Sequence, residues 1–150
     1  MEYKEINNVP LITMDNVFNE QQLDTLDTLT SLVQGEKVDL SEIFNMATAE
    51  ELPFMKTIRD LHNLLQTTCI SYHPCFRGFA DCTKPIISVS RFREETQTPS
   101  NLLILVLMED CDVTVEGQSV QLRRNGVLVL PGYAICGVSG ERISIGLNPL

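Results

Sequence analysis

Apolar and polar positions along the chain keep one rhythm up to about Cys69 and another after it. From Asn19 to Val33 the residues Leu23, Leu26, Leu29 and Val33 recur at helical spacing, with Asp24, Asp27, Thr28 and Ser31 between them. That spacing predicts an amphipathic helix with one solvated face. Asn19 is placed to cap its start and Gly35 to end it. Before it, "VPLITM" puts Val9, Leu11 and Ile12 in a short extended piece ahead of Asp15. A second helical region runs from about Ser41 to Cys69. Thr48 and Glu51 have capping-box spacing, and Pro53 interrupts any helix begun at Ser41, so two helices are predicted, the longer starting near Pro53. Its apolar stripe is Phe54, Ile58, Leu61, Leu64 and Leu65, opposite Lys56, Arg59, Asp60 and Asn63.

Beyond Cys69 the segments "PIISVSRF", "LLILVLME", "DVTV", "SVQL", "VLVL" and "RISIGL" read as strands, with turns at Glu116-Gly117, Asn125-Gly126 and Ser139-Gly140. Glycine and asparagine tolerate the positive φ that tight hairpins require. Val113, Val115 and Val120 alternate with Thr114, Glu116 and Gln121, which predicts strands with one buried face. "LLILVL" and "VLVL" do not alternate, so they are expected as central strands covered on both faces. The polar run Arg93 to Asn101, "REETQTPSN", is expected as a loop between two strands and as a candidate docking surface. No segment repeats. The class expected is α+β: one domain over 1–150, with 1–69 a mostly helical cover and 70–150 a β-barrel half.

Charge narrows the choice of partners. Twenty acidic against 11 basic residues give a net charge of −9, and no basic run exceeds Arg123-Arg124. Such a field repels phosphate backbones, so no nucleic-acid partner is expected. No apolar run reaches the roughly 18 residues a membrane span needs, and "MEYKEINN" lacks the pattern of a secretion signal. A cytoplasmic protein without a membrane partner is expected. The five cysteines, at 69, 75, 82, 111 and 136, are then expected as reduced thiols.

Several constellations bear on chemistry. Cys69, His73, Cys75 and Cys82 form the most ligand-like cluster, but no Cys-x2-Cys knuckle is present. Buried free thiols are expected there, with zinc as the alternative. Cys75 beside His73 is too little to mark a catalytic thiol. "EDCD" at 109–112 supplies too few oxygens for calcium and is expected as a solvated acidic turn. "GYAICGVSG" has glycines but no lysine or helix signal after it, so it is no phosphate cradle.

Taken in order, "LITMDNVFNEQQLDTL", "ISVSRF", "NLLILVLMED", "VQLRRNGVLVLPG" and "GVSGERISIGL" resemble the iron and 2-oxoglutarate-dependent dioxygenases, closest to the prolyl-hydroxylase-like type found in bacteriophages. "VTVEGQSVQLRRNGVLVLPGYA" is equally similar to cupins. Both resemblances imply a double-stranded β-helix of jelly-roll or cupin kind, with the helices packed on it. The resemblance places the arginine that pairs with the 2-oxoglutarate carboxylate at Arg142, with Ser144 beside it. It also implies an iron site of two histidines and one carboxylate. That motif is missing: Glu94 and Glu95 stand where His-x-Asp belongs, Tyr133, Ala134, Ile135 and Cys136 stand before "GVSGERIS", and the two histidines, His62 and His73, come earlier. A substitute site from Glu94 or Glu95 with Cys136 would make a poor facial triad. The expectation is therefore a non-catalytic module without cofactor or metal, acting through a protein partner or self-association. A virion or assembly role, in host cytoplasm or virion, is what the phage-type resemblance implies. The alternative is a small-carboxylate site at Arg142 and Ser144, or a hydroxylase with non-standard metal ligands. Otherwise Arg142 is expected to pair with an acidic residue or to line a solvated edge.

Overall fold

Every residue of Leu102–Leu107 and of Val127–Pro131 is buried. Only a strand with neighbours on both faces buries all its side chains, and these two lie side by side in the middle of the sheet. The structure is a computed structural model that describes residues 1–33, 37–39, 53–98 and 100–149. In chain order the strands are β1 (Glu2–Ile6), β2 (Val9–Met14), β3 (Lys37–Asp39), β4 (Cys82–Thr96), β5 (Leu102–Leu107), β6 (Cys111–Val115), β7 (Gln118–Leu122), β8 (Val127–Pro131) and β9 (Cys136–Pro149). Helix α1 (Glu20–Val33) follows β2, α2 (Pro53–Cys69) follows β3, and a 3-10 turn (Pro74–Arg77) with the short α3 (Gly78–Asp81) leads into β4.

All the strand pairs are antiparallel, in the order β1-β2-β8-β5-β9-β4-β3. The first part of β9 pairs with β6, which carries β7 on its far side. The sheet curls until it is a nearly closed barrel, and Asn7 reaches across to the Glu116 carbonyl at 3.5 Å. The molecule thus combines helices with an antiparallel barrel-like sheet, as the mixed pattern predicts. Among the described residues no helix is long and apolar enough to cross a membrane.

Two apolar clusters share this sheet. Inside the barrel lie Leu11, Leu103, Leu105, Leu107, Val113, Val115, Val120, Leu128, Leu130, Cys136 and Val138. On the opposite face, Leu26 and Leu29 of α1 and Phe54, Ile58, Leu61 and Leu65 of α2 pack over Ile87, Val89, Ile104, Val129, Ile143 and Ile145. Helix α1 opens with a capping box: the Asn19 side chain accepts from the Gln22 N–H at 2.8 Å, and the Gln22 side chain accepts from the Asn19 N–H at 2.9 Å.

The structure departs from the pattern-based expectations in four places. Tyr3 to Glu5 do not read as a strand, yet β1 pairs with β2 through Asn7-Asn8, whose φ values of 50° and 65° suit a two-residue hairpin turn. The N-terminal part is therefore cover and sheet at once. Residues 93–96 belong to β4, not to a loop, because the long partner β9 supplies their pairing. Ser139-Gly140 is no hairpin turn but an irregularity within β9, where Gly140 (φ 133°) packs against Cys111 and a side chain would collide with its sulfur. Leu64 leaves the α2 stripe and is 41% exposed. The Gly35 helix end, the helix from Ser41 and the Thr48–Glu51 cap lie outside the described residues.

Candidate site around Arg142 and Ser144

Side chains alternate along β9 as strand geometry requires. Ile143, Ile145 and Leu147 face the helices, while Arg142 and Ser144 stand opposite Leu107 and Leu105 of the barrel interior, which puts both on the interior side. Register then sets their neighbours. Arg142 stands between Ser90 of β4 and Leu107 of β5, and Ser144 between Ser88 and Leu105. The two residues singled out by resemblance thus sit together on one face of one strand.

Both are buried, Arg142 to 3% exposure. The guanidinium donates through Nη1 to the Ser90 carbonyl at 3.2 Å. Its Nε, and the Ser144 hydroxyl, have no hydrogen-bond partner among the described residues. Arg91 pairs with Glu141 at 3.3 Å and Arg124 with Asp27 at 3.5 Å, whereas no carboxylate among the described residues answers Arg142. Neither ordinary role expected of this arginine, an acidic partner or a solvated edge, is what the structure shows. Burial pushes its pKa below the usual arginine value, and the neighbouring Arg93 pushes it the same way, against smaller opposing effects of Cys136 and Cys111. Arg93 donates through Nε to the Cys136 carbonyl at 3.1 Å. A buried cation without a counter-charge costs several kcal/mol, roughly, and an anion held there would offset it.

The iron centre implied by the resemblance does not fit these residues. His62 lies on α2, edge-on to Phe79 at 5.7 Å, and burial lowers its pKa. His73 caps the 3-10 turn, its Nδ1 accepting from the Cys75 N–H at 3.0 Å. Glu94 and Glu95 are exposed on β4, whereas Cys136 is fully buried and its thiol is pushed up to about 11, by burial first. Among the described residues no three His, Cys, Asp or Glu side chains converge on a point. That holds for Cys69, His73 and Cys75, and the Cys82 side chain lies outside the described set.

The acidic turn at 109–112 does a structural job. Glu109 accepts from the Glu141 N–H at 2.6 Å and Asp110 from the Arg124 N–H at 2.9 Å. These carboxylates tie β9 and the β7–β8 turn to the end of β5. Pattern reading missed Ser90 and Arg93 as neighbours of Arg142 and Ser88 as the neighbour of Ser144. The available signal was the alternation in "IISVSRF", which puts serines opposite the isoleucine and valine that pack under the helices. The chain matches no protein-family model and no curated protein sequence.

Proposed function

We propose that this chain is a non-catalytic double-stranded β-helix of jelly-roll or cupin kind that works as a structural or protein-interaction module. The observation that carries the reading is the barrel interior. Leucine and valine side chains from β2, β5, β6, β7, β8 and β9 pack together inside the barrel, which supports a scaffold rather than a metal centre. A fold outlives its chemistry when its surface still has a task, because site and scaffold are separable. A phage virion or assembly role, in virion or host cytoplasm, is the setting the resemblance supplies. The test is elemental analysis of the purified chain beside thermal melts with ferrous iron and 2-oxoglutarate. No stoichiometric iron and no iron-dependent rise in melting temperature are expected. Stoichiometric iron with a co-substrate-dependent rise would overturn the reading.

One observation favours a second reading, compatible with the first. The unpartnered Arg142 Nε and Ser144 hydroxyl, held together on the interior face, support a small-carboxylate site that needs no metal. Here succinate or 2-oxoglutarate without iron raises the melting temperature of the wild type and leaves Arg142→Met unmoved. Without ligand, Arg142→Met melts at or above the wild type, because a buried, unanswered guanidinium is replaced by an apolar chain of similar length. Equal shifts in both proteins would sink the carboxylate site.

A further inference from the structure

Strand β1 ends the sheet on one side: it pairs with β2 and, among the described residues, with no other strand. The two-residue Asn7-Asn8 turn closes on the Ile6–Val9 pair, which makes that pair a hydrogen-bonded one. Pairing alternates along the strand, so the backbone groups of Glu2, Lys4 and Ile6 point to β2, and those of Tyr3 and Glu5 point outward. The outward edge carries no proline or bulge of the kind that blunts an exposed edge.

We infer that this edge binds β1 of a second copy of the chain, antiparallel and centred on Tyr3. Facing residues of an antiparallel pair lie on the same sheet face, so two strands related by a two-fold axis must be centred on a residue, not between residues. Centring on Lys4 sets it against the partner's Lys4, and centring on Glu5 sets it against the partner's Glu5. Centring on Tyr3 places Glu2 opposite the partner's Lys4 and Lys4 opposite the partner's Glu2. It also joins the two Tyr3 residues by reciprocal backbone hydrogen bonds through groups that already point outward. Charge complementarity and hydrogen-bond phase therefore select the same register. A second feature lies alongside. Tyr3 stacks on the exposed Tyr72 with ring centroids 5.3 Å apart and planes at 15°. Aromatic side chains are enriched at the centres of interfaces.

This dimer gives the proposed interaction module one partner and rests on that reading, but the iron and 2-oxoglutarate experiment can succeed or fail independently of it. The test is sedimentation velocity on the full chain from about 1 to 500 μM, a range that reads micromolar to near-millimolar association. A reversible dimer is expected. Lys4→Glu, which turns both cross-strand ion pairs into like-charge pairs, weakens it about tenfold or more. Glu2→Lys with Lys4→Glu exchanges the charges and restores it, while thermal midpoints confirm that both variants are folded. A monomer throughout the range overturns the inference. So does a dimer indifferent to Lys4→Glu, or one that the charge exchange fails to rescue.

Discussion

Asn125 works as a clamp between parts of the chain far apart in sequence. Its side chain accepts from the Phe18 N–H at 2.8 Å and donates to the Phe18 carbonyl at 2.7 Å. Its backbone carbonyl accepts from the Val17 N–H at 3.1 Å, and its own N–H donates to the Leu107 carbonyl at 2.9 Å. One residue thus serves as a strand partner for the connection between β2 and α1, at a φ of 71° that asparagine tolerates better than alanine. Asn125→Ala loses both side-chain bonds and adds backbone strain, an expected cost of about 2–3 kcal/mol in urea unfolding. Asn125→Gly loses the same two bonds without the strain and is expected to fall between wild type and Asn125→Ala. Equal losses would mean that the φ contributes nothing. Sequence reading marked Asn125 as a turn residue, since Asn-Gly is a local signal, but the clamp depends on Phe18, which only the fold brings near. Arg142 and Ser144 show the same limit. Resemblance singled them out, whereas their partners Ser88 and Ser90 follow from cross-strand register, which local spacing does not encode.

At the scale of elements, periodicity was readable wherever the solvent boundary runs along an element. Helix α1 begins after Asn19, α2 begins at Pro53, and β5 and β8 are buried on both faces, all as their patterns predict. Where a distant partner sets the outcome, pattern failed. Residues 93–96 are polar enough to read as a loop, yet β9 extends β4 through them. Strand β1 is short and charged, and a two-residue turn with β2 makes it a strand. The contrast between buried and merely apolar positions can be measured. Leu105 of β5 faces the barrel interior and is fully buried, so Leu105→Ala is expected to cost about 2–5 kcal/mol. Leu64→Ala removes the same atoms from an exposed site, and a change within about 0.5 kcal/mol is expected. Comparable losses from the two would mean that Leu64 is covered in solution, by a partner or by a part of the chain outside the described residues.

For the whole molecule, the decisive feature is that two apolar layers share strands. Ile104, Val129 and Ile143 hold the helices, while their neighbours Leu105, Leu128 and Leu103 fill the barrel, so neither layer can open without disturbing the other. The thiols report on this arrangement. Cys69, Cys75, Cys111 and Cys136 are unpaired, and burial, ahead of any neighbouring charge, pushes each from the ordinary 9.0 up to about 11. For Cys136, Arg93 and Arg142 pull the other way and Glu95 adds to the rise. Below pH 9 the folded and unfolded chains both carry these protons. Between pH 9 and 11 the unfolded chain releases them and the folded chain keeps them, so the unfolded state binds fewer protons and stability falls as pH rises. Lysine and tyrosine titrate in the same range, so the comparison that isolates the thiol is wild type against Cys136→Ala. Urea midpoints measured from about pH 8 to pH 11 are expected to fall less steeply in the variant. Parallel curves would mean that the Cys136 thiol meets water in the folded state, and that the barrel interior at the start of β9 opens more readily than its packing implies.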